Sequence, residues 1–238
     1  MASAEATQYR RGAARVSYMS QDRADLSFAA GHLAARMAKP RKGDEVMLKR
    51  VLRYLLHRPS CPLLLPFQEP VESITVFSDS DWANDEVSRR STSGGIAMKG
   101  LHSIHWWSRK QARIALSSCE AEINALVKSA GEGLFLSSVS NLFEEGSAVV
   151  LLTDSSAAKG VSMRIGTGKT KHLSTKQLWI QEVVGDGRAC IRKVPREENL
   201  SDALTHEWVS SDIRFFQAAG FGQCRATSTS GGRTEGGC

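Results

Sequence analysis

The sequence predicts an α/β fold in which helices cover a mixed β-sheet, preceded by a small helical segment. The first observation is that three strand-like runs follow one another closely, as in an antiparallel meander. The second is that later strand-like runs alternate with helical patterns. With 238 residues, 41% hydrophobic and 24% charged, the chain has enough apolar side chains to form a core.

The N-terminal part is predicted to be helical after a disordered start. Residues 1–20 are basic and polar, so we expect them to be disordered. Apolar residues then recur at helical spacing over 26–37 and again over 46–56. Prolines crowd the stretch 59–70, where a helix cannot continue. Residues 21–70 are therefore assigned to a separate helical segment.

The main domain is predicted over residues 71–220, and its elements follow in chain order. β-Branched and aromatic runs predict strands, whereas apolar residues at helical spacing predict helices. The predicted strands are 74–77, 92–99, 103–107, 148–153 and 188–194. The predicted helices are 117–130, 134–143, 156–161 and 172–184, with a final helical part from Asn199. Ser, Thr and Gly dominate residues 221–238, which we expect to form a disordered tail.

Charge and cysteine content narrow the class of protein. Lys and Arg exceed Asp and Glu by 31 to 25, and this net charge of +6 favours a polyanionic partner. The 5 cysteines form no Cys-x-x-Cys pair, which is typical of a reducing intracellular setting. No run approaches the roughly 18 apolar residues of a membrane span. We therefore expect an intracellular protein, cytoplasmic or nuclear, that is not secreted and has no membrane partner.

Four short acidic segments in a fixed order are the strongest functional signal. They centre on acids that follow strand-like runs or open helix-like stretches: Asp79, Glu122, Asp154 and Asp202. Carboxylates that a fold gathers together repel one another, so such a cluster normally holds divalent metal. Two Mg²⁺ ions held in this way can activate a water and stabilise the leaving oxygen of a phosphodiester. The acids therefore favour a metal-dependent nuclease.

The first two acids also have structural explanations. Asp79 lies in an Asp-Ser-Asp sequence that is typical of turns, and Asp81 is a rival candidate there. Ser117 and Glu120 have the spacing of a capping box, in which Glu120 would turn back onto the backbone of Ser117. Capping would thus occupy Glu120 and leave Glu122 available for chemistry.

The two later acids are ambiguous when each is taken alone. Asp154 follows the apolar run 149–152, at the end of a strand where open α/β sheets bind ligands, but it would equally cap the next helix. Asn199 with Asp202 three residues later resembles a helix start, where the dipole favours an acid. For Asp202 alone this structural explanation is the stronger one. The joint order of four acids is what favours a metal site.

Six sequence blocks stand out between residues 72 and 206. They are Ser78–Ala83, Arg89–Gly95, Trp107–Gln111, Leu116–Glu122, Lys169–His172 and Asn199–Thr205. In this order they resemble the ribonuclease H domain of copia-type LTR retrotransposon Pol polyproteins. Residues 21–29 and 49–55 resemble the C-terminal end of the reverse transcriptase of the same polyprotein.

The resemblance implies a ribonuclease H-like fold, with a mixed five-stranded sheet and helices on both faces. It implies an endonuclease that hydrolyses the RNA strand of RNA–DNA hybrids by two-metal-ion chemistry, with Mg²⁺ or Mn²⁺. The implied partners are the hybrid and the remainder of the reverse transcriptase polyprotein, and the implied location is a virus-like particle. The implied catalytic residues and metal ligands are Asp79, Glu122, Asp154 and Asp202. The alternative function is a non-catalytic relic or nucleic-acid-binding module with the same fold.

Substrate contacts are assigned to a basic stretch after the third acid. Lys169, Lys171 and His172 are candidates for contacts with the phosphates of the bound strand. The lysines are equally consistent with a solvated surface. For His172 we favour a hydrogen-bonded structural role, because no acidic partner can be assigned to it from sequence. A hybrid would be recognised by its backbone shape and 2′-hydroxyls rather than by base sequence.

Overall fold

A five-stranded mixed sheet forms the centre of the computed structural model, which describes residues 3–143, 146–166, 174–207 and 212–222. The strands are β1 Ser73–Asp81, β2 Thr92–Lys99, β3 His102–Lys110, β4 Ala148–Thr153 and β5 Ala189–Lys193. They lie in the order β3-β2-β1-β4-β5. The meander β1-β2-β3 is antiparallel, whereas β4 runs parallel to β1 and β5 runs parallel to β4. The predicted mixed sheet and its strands are confirmed.

Helices cover both faces of this sheet. The described helices are α1 Ser3–Met19, α2 Ser27–Ala35, α3 Lys42–His57, α4 Ser118–Ser140, α5 Ser156–Ser162, α6 Thr175–Gly185 and α7 Ile213–Ala218. Alternate side chains of a strand point to opposite faces. In β1, Val76 therefore joins a core with Ile123 of α4, while Phe77 packs into a second core with Phe215 of α7. Among the described residues, no helix is long and apolar enough to cross a membrane.

Helix α4 corrects the prediction of two helices over 117–130 and 134–143. It is continuous from Ser118 to Ser140, because its apolar face continues past the predicted break. A side chain at Gly133 would begin only 2.8 Å from Val149 and 3.1 Å from Val76. The glycine therefore does not end the helix but lets it lie close to the sheet.

The N-terminal helix α1 shows that the prediction of disorder for residues 1–20 is wrong over the described residues 3–19. Its buried residues recur at helical spacing: Ala6, Tyr9, Ala13 and Val16. The hydroxyl of Tyr9 donates to the backbone oxygen of Leu33 at 2.9 Å, and Tyr9 is 1% exposed. The arginines between these positions lower the average hydropathy and concealed the narrow apolar face, which packs against α2 and α3.

The end of the described chain corrects the prediction of a disordered tail from residue 221. Phe221 is 1% exposed and packs edge-on against Trp106 at a ring distance of 5.2 Å. The backbone N–H of Leu64 donates to Gly220, and the N–H of Gly222 donates to Pro62. These contacts hold residues 220–222 against the proline-rich stretch. Residues 223–238 lie outside the described part, and the domain division at residue 70 stays a prediction.

A buried ionic cluster joins the helical segment to the sheet. Asp85 accepts a hydrogen bond from Arg36, at the end of α2, at 2.9 Å and another from Lys110 of β3 at 2.5 Å. The hydroxyl of Ser88 donates to the same carboxylate. Burial would raise the pKa of Asp85, but these hydrogen bonds and the charge of Arg36 outweigh it and hold the pKa well below its usual range. The loop after β1 is thereby tied to α2.

We predict that Arg36→Met destabilises the protein by about 1–2 kcal/mol at pH 7, because Asp85 stays buried with one cation fewer. The depressed pKa of Asp85 means that its contribution is present above its unfolded pKa and is lost as the pH falls. The difference between variant and wild type should therefore shrink towards pH 3 in urea unfolding. Lys49→Met removes an exposed ion pair with Glu45 and should cost at most about 0.5 kcal/mol. Equal losses in the two variants would contradict the prediction.

Candidate metal centre

Asp79 lies inside strand β1, where it pairs with Gly94 of β2. The turn expected from its Asp-Ser-Asp sequence is therefore not formed, and Asp79 is 6% exposed. A 3-10 turn, Asp202–Leu204, packs over Gly94. A Cβ on Gly94 would lie 2.8 Å from the Cγ2 of Thr205, so only glycine lets this turn approach so closely. The hydroxyl of Thr205 donates to Asp79 Oδ2 at 2.8 Å.

Glu122 reaches the same place from the first turns of α4. Its Oε1 accepts from the hydroxyl of Ser80 at 2.7 Å and from the N–H of Ser80 at 3.2 Å. Its Oε2 is buried and has no hydrogen-bond partner among the residues that the structure describes. A buried carboxylate oxygen without a donor is costly, and a bound cation would relieve that cost.

Glu120 is separated from Glu122 by capping, as predicted, although the contact differs in detail. The hydroxyl of Ser117 accepts from the N–H of Glu120 at 3.2 Å. The Glu120 carboxylate accepts from the N–H of Leu116 at 2.7 Å, one residue before the predicted Ser117. Its other oxygen accepts from Gln177 of α6 at 3.0 Å. The helix start therefore holds Glu120 away from the centre.

Asp154 follows β4 directly. Since Ser78 of β1 is level with Thr153 of β4, the next residues, Asp79 and Asp154, lie side by side at the same sheet edge. The cap of α5 is Ser155, whose hydroxyl accepts from the N–H of Ala158 at 3.2 Å. The capping explanation for Asp154 is therefore wrong. Ligand oxygens of Asp79, Glu122 and Asp154 all lie within 4.8 Å of one another.

Asp202 is not part of this group of three among the described residues. Its Oδ1 lies 3.6 Å from Nη2 of Arg196, at the rim of the centre. Its turn is anchored by Asn199, which is fully buried and donates to the backbone oxygen of Ser78 at 3.1 Å. Asn199 therefore links the turn to β1, while its Oδ1 accepts from the hydroxyl of Ser201 at 2.7 Å and from the Ser201 N–H at 3.4 Å. The charge of Asp202 still acts on the other acids, because it raises the pKa of Asp79.

Burial and mutual repulsion raise the pKa values of the gathered acids. Burial raises the pKa of Asp79 to about 7, and Asp202 and Asp154 add to it while the hydrogen bond from Thr205 opposes it. Burial, followed by the charge of Asp79, raises the pKa of Glu122 to about 8. Burial also raises the pKa of Asp154, against the opposing charge of Arg196. The metal-free centre thus holds protons that a divalent cation would displace.

The centre fits a hard divalent cation. All its candidate ligands are carboxylate oxygens, which suit Mg²⁺ and Mn²⁺. The unpartnered Oε2 of Glu122 offers one of these oxygens directly. Asp81, the rival of Asp79, lies outside the group, and a hydrogen bond from Asn84 acts on its carboxylate. The residues Lys169, Lys171 and His172 lie outside the described residues.

Sequence reasoning missed the residues that position the acids. These are Ser80, Gly94, Asn199 and Thr205. Each lies within one of the sequence blocks that carried the resemblance, which was the signal available. Their roles depend on contacts between residues 42 to 126 positions apart, which no local pattern reveals.

Comparisons with known proteins agree with the sequence blocks. The Pol polyprotein of transposon RE1 from Arabidopsis thaliana is 30% identical over 204 residues, which are 84% of this chain and 14% of that protein. The polyprotein of transposon TNT 1-94 from Nicotiana tabacum is 29% identical over 77% of this chain and 14% of its own length. Secreted RxLR effector protein 161 of Plasmopara viticola is 38% identical over 48% of this chain and 80% of that protein. No family model matches.

Solved structures of ribonucleases H resemble the chain more distantly. LC11-RNase H1, isolated from compost, is 16% identical over 57% of this chain and 94% of that chain, with a TM-score of 0.45. RNase H1 from Halobacterium salinarum is 16% identical over 56% and 94%, with a TM-score of 0.41. Scores below 0.5 do not establish a shared fold by themselves. The fold is therefore identified from the order and directions of the strands.

The mixed sheet in the order β3-β2-β1-β4-β5, with helices on both faces and acids at β1, α4 and β4, defines a ribonuclease H-like domain. The chain belongs to the retrovirus-related Pol polyproteins of transposons, which match most of its length. The predicted fold and family are confirmed. The chain spans 14% of the length of these polyproteins.

We predict that the metal-free protein loses stability as the pH rises from 5 to 9. The raised pKa values of Asp79 and Glu122 mean that their contribution is complete below their unfolded values, near 4, and is lost through about 7 to 8. The Gln side chain in Glu122→Gln cannot ionise and keeps an oxygen acceptor for Ser80. The variant's free energy of unfolding should therefore exceed that of the wild type by about 2 kcal/mol at pH 9. Thermal unfolding in EDTA measures this difference in stability, and adding Mg²⁺ should restore the stability of the wild type. Parallel pH curves for the two proteins would refute it.

We predict that Gly94→Ala displaces the turn that carries Asp202 and Thr205, because the new Cβ would meet Thr205 and the backbone of Ser201. The expected effects are a loss of about 1–3 kcal/mol of stability and at least roughly tenfold weaker Mg²⁺ binding. Unfolding curves recorded over a Mg²⁺ series measure both. Gly131→Ala in α4 is the matched control, because outside its own helix backbone the new Cβ would meet no described atom within 4 Å, so the change should be neutral or stabilising. Unchanged Mg²⁺ binding in Gly94→Ala would rule out this role of the turn.

Proposed function

We propose that this chain is a ribonuclease H, a metal-dependent endonuclease that hydrolyses the RNA strand of RNA–DNA hybrids within a retrotransposon Pol polyprotein. The observation that carries the proposal is the convergence of Asp79, Glu122 and Asp154 within 4.8 Å at one sheet edge. Without a cation such a group of carboxylates destabilises the fold, because burial and mutual repulsion both oppose their ionised forms. Family membership supplies the substrate class.

The three central carboxylates would hold the metal, and Asp202 would complete the set from the rim. Four carboxylates balance the charge of two divalent cations, so the number of acids fits two ions. When bound, Mg²⁺ or Mn²⁺ supplies a water activated as nucleophile and stabilisation of the leaving oxygen. Asp79 is the more buried of the two aspartates that lie side by side in β1 and after β4, and it would be one of the metal ligands.

The surrounding residues keep the carboxylates in place. Ser80 holds one oxygen of Glu122 with two hydrogen bonds, which leaves the other oxygen for the cation. Thr205 orients Asp79, and Asn199 fixes the turn that carries Asp202. All three contacts come from elements of the sheet or from a turn anchored on it, so the ligand geometry exists before a cation binds.

The remainder of the polyprotein is the proposed protein partner. The chain spans 14% of its polyprotein relatives, so most of their length lies outside it. Helix α3 exposes three large apolar side chains: Val46, Leu52 and Leu56. An exposed apolar face on a helix that is otherwise packed into the molecule is typical of a docking surface. It supports contact with the missing part of the polyprotein.

We predict that the wild-type protein with Mg²⁺ cleaves a labelled RNA–DNA hybrid and leaves double-stranded RNA and double-stranded DNA intact. Asp79→Asn should reduce cleavage roughly 1,000-fold or more, because it removes the charge at the centre of the ligand group. Asp81→Asn is the matched control, since Asp81 lies on the same strand outside the group and should keep most of the activity. Circular dichroism and unfolding curves check that both variants are folded.

The outcomes separate the two functions open to this fold. Hybrid-only cleavage that is lost in Asp79→Asn and kept in Asp81→Asn establishes the ribonuclease. Cleavage that survives in Asp79→Asn sinks the assigned metal centre. A folded wild type that binds the hybrid but does not cut it, with Mg²⁺ or with Mn²⁺, is a non-catalytic relic or binding module.

A further inference from the structure

We infer that Arg196 binds a phosphate of the nucleic-acid strand beside the metal centre and so positions that strand for cleavage. The inference rests on the proposed function and names a substrate contact of the same site. It starts from the place of Arg196 in the fold, where a fixed backbone carries an exposed cation above the acids.

The backbone around Arg196 is fixed on both sides. Arg196 begins the 3-10 turn Arg196–Glu198 directly after β5. Before it, the N–H of Val194 donates to the backbone oxygen of Thr153, at the end of the strand that precedes Asp154, at 3.0 Å. After it, Asn199 is tied to β1 through Ser78. The Arg196 backbone is therefore set between two of the elements that carry the acids.

The side chain of Arg196 points to the acids but is not committed to any of them. Its Nη2 lies 3.6 Å from Asp202 Oδ1, which is too long for a hydrogen bond, and the Arg196 side chain is 78% exposed. A pair of this length whose cation is exposed to solvent stabilises little and exchanges easily. The guanidinium is thus available to another anion at small cost.

The charge of Arg196 reaches two acids on different elements. Burial raises the pKa of Asp154, after β4, and of Asp81, at the end of β1, and in both cases the charge of Arg196 opposes the rise. Lys193 also opposes it at Asp154, and His206 opposes it at Asp81. His206 is also paired with Asp212 at 3.3 Å. Arg196 therefore lies close enough to act on acids of both β1 and β4.

Charge balance indicates what Arg196 binds when the centre is in use. Cations at the acids would neutralise the carboxylates that now attract its guanidinium. The remaining positive charge is then next to the place where the phosphodiester must lie. A planar guanidinium with five N–H donors suits bidentate contact with phosphate oxygens. The same group acts as a counter-charge for the acids in the metal-free protein and as a phosphate ligand in the complex.

The test measures hybrid binding rather than cleavage. In an Asp79→Asn background, where cleavage is expected to be lost, the hybrid is titrated by fluorescence anisotropy in Mg²⁺ between about 50 and 200 mM salt. Arg196→Gln should weaken binding about tenfold and reduce the slope of log K against log salt by about 1, the loss of one phosphate contact. Arg196→Lys keeps the charge but loses the planar guanidinium, so its affinity for the hybrid should lie between those of the Arg196 and Arg196→Gln proteins. Arg188→Gln, at the other end of β5, makes the same charge change and should have a much smaller effect.

Two results would overturn the inference. One is equal weakening in Arg196→Gln and Arg188→Gln, which would make Arg196 part of the general surface charge. The other is a change in the Mg²⁺ dependence of thermal stability without a change in hybrid binding, which would assign Arg196 to Asp202 alone. The proposed ribonuclease activity can fail separately from the proposed phosphate contact. A folded wild type that leaves the hybrid uncut, with hybrid binding that depends on Arg196, would refute the activity but not the contact. A cleaving wild type whose affinity is indifferent to Arg196 refutes only the contact.

Discussion

The repulsion among buried carboxylates is the constraint on which the rest of the structure depends. Asp79 and Glu122 are each 6% exposed, and both are protonated more readily than an ordinary carboxyl group because they are buried together. A fold selected for stability alone would place apolar side chains there. The sheet is therefore arranged around an unfavourable group of carboxylates, which a divalent cation would stabilise. This trade of stability for a binding site is characteristic of functional centres.

Several contacts hold the acids together against this repulsion. The parallel register of β1 and β4 places Asp79 beside Asp154, and the antiparallel register of β1 and β2 places it opposite Gly94. Gly94 admits the turn that brings Thr205 to Asp79, while Asn199 anchors that turn on β1. Each of these contacts involves a residue of β1 or β2. The centre is thus an outcome of strand register as much as of the acids themselves.

The N-terminal helices are attached to the sheet that carries the acids. The Arg36–Asp85–Lys110 cluster ties α2 to the loop that follows β1, the strand of Asp79. Trp106 of β3 donates to the backbone oxygen of Ser20 at 3.1 Å, which adds a second attachment. The N-terminal helical segment therefore packs against the sheet, while apolar side chains on its outer side remain exposed. This arrangement suits a domain that works inside a longer polyprotein.

The sequence by itself determined the order and type of the elements, the ribonuclease H-like class and the choice of Glu122 over Glu120. The elements follow from β-branched runs and helical spacing, and the choice of Glu122 follows from the Ser117 cap. The ribonuclease H-like class was implied by the resemblance of the six sequence blocks to a known family, not by these local patterns. The sequence-based prediction was wrong for α1, whose four buried residues lie among arginines, and for Phe221, which is buried by residues distant in sequence. Only the tertiary structure decided that Asp79, Glu122 and Asp154 converge while Asp202 stays at the rim beside Arg196. The reason is that convergence depends on strand register and on contacts up to 126 residues apart, and local propensity does not encode either.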